Sequence, residues 1–193
     1  MTAQFIHLRV SSEYSISRGL LRINEIVANA EKLSMPAVAL TDLSNMFGMV
    51  KFFKQAEAAG IKPISGTILN LISPDANEGE ILCLAKNNKG LKSLMKLISL
   101  AQLQQKKGKV LISFEQLSSA YEDIIVISGG SRSNIFNLFK QKKIKELKDE
   151  LIQFRDVFKD DFCIEVQKTE RGHEDEFIKN ILPLAYEFSI PVI

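Results

Sequence analysis

Short apolar, β-branched runs alternate along this chain with longer amphipathic stretches, and that alternation restricts the fold more than any other feature. FIHLRV (residues 5–10), AVALT (37–41), ILNLI (68–72), ILCLA (81–85), DIIVI (123–127), FCIEV (162–166) and PVI (191–193) have the length and composition of strands. LRINEIVANAEKL (21–33), GMVKFFKQAEAAG (48–60), LKSLMKLISLAQL (91–103), two stretches after DIIVI, and EDEFIKNILPLAYEF (174–188) repeat apolar residues at helical spacing. Strand and helix in alternation predict parallel βαβ units. Their period of about 30 to 40 residues suits an α/β barrel or a doubly wound sheet.

Local punctuation agrees with that reading. Pro36 forces an extended exit from the first helix, and Gly60 closes the second where a left-handed cap is easily adopted. SPDANEG (73–79) reads as a tight connection between neighbouring strands, and QQKKGK (104–109) as a loop. At 193 residues one sizeable core is expected, and 46% hydrophobic with 25% charged residues is ordinary for a globular chain. A net charge of +2 is too small to argue by itself for nucleic-acid binding. Cys83 and Cys163 each sit in a strand-like run, so buried thiols are expected rather than a disulfide, in keeping with a reducing cytosol. No signal-peptide pattern opens the chain, and no apolar run approaches the roughly 20 residues of a membrane span. Because PVI is a strand-like run and domain boundaries fall in polar linkers, the sequence is expected to be the N-terminal part of something longer.

In an α/β barrel the loops that follow the strands share one face, where chemistry normally sits. Here those loops are HLRVSSEYS (7–15), ALTDLSNMFG (39–48) and GIKPISG (60–66). A hydrolytic metal cluster needs several imidazole and carboxylate donors converging on one cavity. The chain offers only two histidines, His7 and His173, and Arg9 and Arg18 would put fixed positive charge where cations would sit.

The order and spacing of these loops resemble the PHP (polymerase and histidinol phosphatase) domains that open bacterial replicative DNA polymerase III alpha subunits. Metal-binding members read H-L-H-x-H-T-x-x-S-L-L-D-G in the first loop; here Arg9, Ser11 and Arg18 stand in three ligand positions after His7. The second loop, T-D-H-G-N-M-F-G in the family, keeps Thr41, Asp42, Asn45, Met46, Phe47 and Gly48 but has Leu43 in the histidine position. The third, G-I-K-P-I-x-G-x-E, ends at Ile68 instead of an acid. H-L-x-x-L-A-K-N appears with Glu80 in the histidine position, and E-L-Q-x-H runs from Glu165 to Thr169. The resemblance thus makes His7, Arg9, Ser11, Arg18, Asp42, Leu43, Ile68, Glu80 and Thr169 vestigial metal-site positions, with no catalytic residue and no metal.

The resemblance further implies a distorted PHP-type (β/α)7 barrel, incomplete here, with residues 1–193 forming the N-terminal part of one PHP domain and the polymerase palm, fingers and thumb lying elsewhere. It implies a scaffold in DNA replication that docks the proofreading exonuclease subunit and other holoenzyme subunits and supports the rest of the alpha subunit. DNA would be met through the parent polymerase, whose magnesium is bound outside this segment. It also implies a cytoplasmic location away from membranes. Two alternatives stay open: a residual metal-dependent phosphoesterase or 3'–5' exonuclease using His7 and Glu80, and a DNA-contacting module.

Each feature also has a plain structural reading. His7 is expected to be a structural or supporting histidine, and His173 a solvated residue of a helix N-terminus. Asp42 is expected to cap the turn into the following helix, and Arg9 and Arg18 to pair with Glu13 or Asp42. KNNKGLKSLMK (86–96) and FKQKKIKELK (139–148) read as exposed helix faces that could touch phosphates, and SGGSRSN (128–134) as a strand-to-helix turn that could cradle an anion.

Overall fold

In the computed structural model, which describes residues 5–16, 18–105, 108–170 and 172–193, the chain runs α1 (Ile23–Lys32), β1 (Ala37–Leu43), α2 (Met49–Ala58), β2 (Lys62–Ile72), β3 (Glu78–Ala85) and α3 (Asn88–Leu103). It continues through β4 (Ile112–Ser113), α4 (Phe114–Ala120), β5 (Ile124–Ile127), α5 (Asn134–Lys140), α6 (Ile144–Phe158), β6 (Phe162–Cys163) and α7 (Glu174–Glu187). The expected loop at 104–109, the first-loop frame and the run before α7 each include residues outside the described ones, namely Lys106, Lys107, Ser17 and Arg171.

The sheet is organised by β2, the longest strand, and its order is β1-β2-β3-β5-β6 with β4 also beside β2. The result is a mixed α/β layer that does not close into a barrel among the described residues. Strand direction corrects one expectation: β1, β4 and β2 are parallel, as are β5 and β6, but β3 is antiparallel to both β2 and β5. The tight SPDANEG turn is the cause, since a connection that short can only reverse the chain. FIHLRV also departs from expectation, forming no regular strand. It lies along β1 through Ala39 N to His7 O (2.9 Å) and Thr41 N to Val10 O (2.8 Å), a pairing that advances three residues on one side against two on the other. The Val10 amide is taken instead by Thr41 Oγ1 at 2.9 Å, which stops a ladder from propagating.

Side-chain alternation gives the sheet two different faces. Leu69, Leu71, Ile81, Cys83, Ile124 and Val126 join residues of α3–α7 in the largest apolar cluster. Its centre is aromatic: Phe154 lies 5.0 Å from Phe114, 5.6 Å from Phe158 and 5.2 Å from Phe162, ring centre to ring centre. α1 and α2 cover Val38 and Leu40 in a second cluster. The opposite, inner face carries a smaller one of Ala39, Ile68, Leu82, Leu84 and Ile127. Cys83 and Cys163 are free thiols on opposite faces, and burial pushes the Cys83 thiol up to about 12.

The helix ends follow the sequence. Gly60 has φ +69°, and Ile61 N bonds back to Ala56 O at 2.9 Å, closing α2. Asn87 Oδ1 accepts from Lys89 N (2.8 Å) and Gly90 N (3.2 Å) to start α3. No described helix is long and apolar enough to cross a membrane.

Candidate functional site

A cleft of about 1160 Å³ opens on the inner face, between the 5–10 segment, β3, the loop after β5 and the end of β6. The folding of the first loop is set by Asp42 on β1. Its carboxylate, 1% exposed, accepts from Ser12 N (2.7 Å), Ser12 Oγ (2.8 Å) and Ser15 Oγ (2.6 Å), which pins the 3-10 turn Glu13–Ser15 against the strand. The cap expected of Asp42 is therefore not formed. The turn into α2 is held by Asn45, whose Oδ1 accepts from Phe47 N at 3.2 Å and whose Nδ2 donates to Tyr14 O at 3.1 Å, joining the first two loops. Gly19 makes the closest approach: a Cβ there would lie 1.7 Å from Ser12 O, so no other residue fits without moving the backbone.

Arg9 reaches across the cleft to form two parallel bonds with Glu165, Nε to Oε1 at 2.7 Å and Nη2 to Oε2 at 2.6 Å. Its Nη1 also lies 3.7 Å from Glu80 Oε2. Arg18 Nη1 donates to Glu80 Oε1, and Arg132 Nη1 stands 3.9 Å from the same oxygen. Gln167 Nε2 donates to Glu165 Oε1 at 2.7 Å, and the Glu165 amide donates to Ser128 Oγ at 2.9 Å. Three guanidinium groups thus face two carboxylates. The partners expected for Arg9 and Arg18 are replaced: Asp42 has its oxygens filled by serines, and Glu13 stands 3.6 Å from Lys51 and 3.9 Å from Arg22 near the surface.

The other singled-out residues divide between the cleft and the packing beneath it. Leu43 and Ile68 belong to the inner apolar cluster, and Ile68 also lines the cleft. Ser11 lines the cleft. Thr169 does so too, its Oγ1 donating to Glu174 Oε1 at 2.6 Å. His7 is exposed, with its ring edge-on to Phe5 at 4.8 Å. His173 lies outside the cleft lining, exposed at the start of α7 with Nδ1 3.5 Å from Glu176 Oε2. SGGSRSN is a structural turn in which Ser133 Oγ accepts from Phe136 N at 3.1 Å and starts α5. Lys89, Lys92, Lys96, Lys140, Lys142, Lys143 and Lys145 are exposed while the interleaved Leu94, Leu97, Leu138 and Leu147 are buried, the pattern of solvated helix faces.

Sequence reasoning passed over Glu165, Arg132 and the serine pair that holds Asp42. Glu165 had a signal, since it opens the E-V-Q-K-T segment already aligned with a ligand-bearing stretch. Metal ligation is the chemistry this fold family implies, and the donors can be tested against it. Asp42 accepts three short bonds, Glu165 and Glu80 face guanidinium groups, and Thr169 is spent on Glu174. Among the described residues no three His, Cys, Asp or Glu side chains converge to hold an ion. This donor set does not fit a cluster of divalent cations.

Comparison with known proteins gives three findings. The PHP domain family matches residues 7–169. DNA polymerase III subunit alpha of Pseudomonas aeruginosa is 34% identical over 100% of this chain and 17% of its own length, and that of Pseudomonas fluorescens is 36% identical with the same coverage. That of Borreliella burgdorferi is 32% identical over 98% of the chain and 17% of its own length, so the chain spans about a sixth of these relatives. Among solved structures, a candidate metal-dependent phosphoesterase from Bifidobacterium adolescentis superposes with a TM-score of 0.58 at 12% identity, covering 98% of this chain and 86% of its own. At that identity the likeness is one of fold.

Proposed function

Since this chain belongs to the PHP domain family, we propose that it is a metal-free structural PHP segment of a replicative DNA polymerase III alpha subunit. Its work is to hold a rigid surface on which the proofreading exonuclease subunit docks, while the polymerising parts, with their magnesium, lie in the remainder of the polypeptide. The complex acts in the cytoplasm and meets DNA through the polymerase.

The observation that carries this reading is the cross-bracing of the cleft by Arg9 with Glu165 and Arg18 with Glu80. A guanidinium is permanently charged and directs several donors at once, so it can join loops as a metal ion does without offering a Lewis acid or an activated water. The braces tie the first loop to β3 and to the segment after β6, three of the places where the family resemblance puts ligands. A docking surface needs this order and nothing more from the cleft.

The test is elemental analysis of the full-length polypeptide after dialysis against zinc and manganese, with phosphodiester hydrolysis and exonuclease-subunit binding measured on the same sample. No metal beyond that held by the polymerising parts, no turnover and chelator-insensitive binding of the exonuclease subunit are expected. Stoichiometric metal with turnover abolished by Glu80→Gln would overturn the reading.

A further inference from the structure

A second buried carboxylate lies on the outer side of the sheet, in different company. Glu150 of α6 is 6% exposed and borders a small cavity of about 10 Å³, room for on the order of one water. Ser73 Oγ, in the turn between β2 and β3, donates to Glu150 Oε1 at 3.1 Å, and Asn134 Nδ2 of α5 donates to Glu150 Oε2. Both partners are neutral, and no cation pairs with Glu150 among the described residues. A second acid, Asp75 on the turn, has its oxygens 3.4 and 3.5 Å from the same Asn134 nitrogen, while Glu80 on β3, which also lines the cavity, has its carboxylate paired with arginines of the cleft. Glu146 is one helical turn back on α6, while Ser128 and Ser133 supply the remaining polar lining.

A buried carboxylate beside another and without a cation is favoured as the acid by desolvation and repulsion, against the two hydrogen bonds it accepts, which favour the anion. We infer that Glu150 is a proton-operated latch: as the neutral acid it stays buried between the β2–β3 turn, α5 and α6, and its ionisation, which strengthens the two bonds it accepts but leaves a desolvated charge with no paired cation among the described residues, favours opening of that turn. Burial pushes its pKa up to about 7, with the charge of Asp75 adding and the Asn134 and Ser73 hydrogen bonds opposing. The latched form therefore prevails at low pH and is lost as pH rises from the ordinary glutamate range through about 7. The turn is coupled to its neighbours through close backbone contact, since a Cβ on Gly79 would lie 2.3 Å from Asn134 N. Glu80, the next residue, carries ion pairs of the cleft, so loosening the turn reaches the braced face. The latch itself requires no particular role for that cleft.

Hydrogen exchange of the full-length chain, corrected for intrinsic rates, tests this on peptides covering residues 73–79 and 134–140. Protection is expected to fall at least about tenfold between pH 5 and pH 7.5. Glu150→Gln should hold protection constant across that range, and Asp75→Asn, by removing a neighbouring negative charge, should move the midpoint to lower pH; a move to higher pH would count against the latch. Protection independent of pH in the unaltered chain, or the same fall persisting in Glu150→Gln, overturns the latch.

Discussion

The two faces of the sheet are buried by different physics. The outer face packs rings and aliphatic chains around Phe154 and Phe158, both 1% exposed, and most of its contacts are apolar. The inner face is joined largely by directed bonds, Arg9 to Glu165 and Arg18 to Glu80. Apolar burial is non-directional and scales with area, whereas ion pairs return little net stability once desolvation is counted. The outer face should therefore set the stability of the chain and the inner face its loop geometry.

The largest expected effect follows from the outer face. Phe158→Ala removes a ring that meets Phe114 at 5.8 Å and Tyr121 at 5.3 Å, and should cost about 3–5 kcal/mol in urea denaturation. A loss below about 1 kcal/mol would mean that the cluster collapses around the gap and that the contrast between faces is overstated. Glu150 gives the next effect, being a buried outer-face acid with no cation paired to it among the described residues. An acid with a raised folded-state pKa contributes stability in full below its unfolded value and loses it as pH rises through the folded one. Glu150→Gln should accordingly stabilise the chain at pH 8 by up to about 3 kcal/mol and do far less at pH 4.5. Equal effects at both pH values would show that its proton plays no part.

On the inner face, Arg9→Ala leaves Glu165 without its bidentate partner and should cost about 2 kcal/mol. That is less than the roughly 3–5 kcal/mol of a fully buried broken pair, because the Arg9 side chain keeps 21% exposure. Removing both charges in Arg9→Met with Glu165→Leu should restore most of that stability. If the double variant is as unstable as the single one, the pair contributes net stability and the inner face is more than a geometric brace.

The parts that sequence reasoning reached and missed follow the same division. Helices α1, α2, α3 and α7 were legible because apolar periodicity reports burial against one surface, even across Pro183 inside α7. The SPDANEG turn was legible, but the antiparallel direction it forces on β3 was lost beneath the general βαβ rhythm. The cleft partners were not legible because ion pairing joins residues far apart in sequence: Arg9 and Glu165 are 156 positions apart, and no local pattern couples them. The family frame located their neighbourhood without saying which acid each arginine would meet. Asp42 was misread because a carboxylate before a turn commonly caps it, and only the fold brings Ser12 and Ser15 to its oxygens.

β4 and α4 were passed over although a local signal was present. Ser113 and Gln116 form a reciprocal capping box, Gln116 N to Ser113 Oγ at 3.2 Å and Ser113 N to Gln116 Oε1 at 2.9 Å, and the S-F-E-Q spacing announces it. This short helix delivers Leu117, 0% exposed, to the outer cluster. Ser113→Ala removes one half of the box and should cost about 1 kcal/mol, with Ser113→Gly costing only a few tenths because glycine leaves the amides open to water. That is the smallest of these effects, and it sharpens the contrast between faces. If the outer layer owes its stability to buried area, weakening a cap at its edge must cost far less than removing a ring at its centre, and urea midpoints of Ser113→Ala and Phe158→Ala that lie close together would contradict that account.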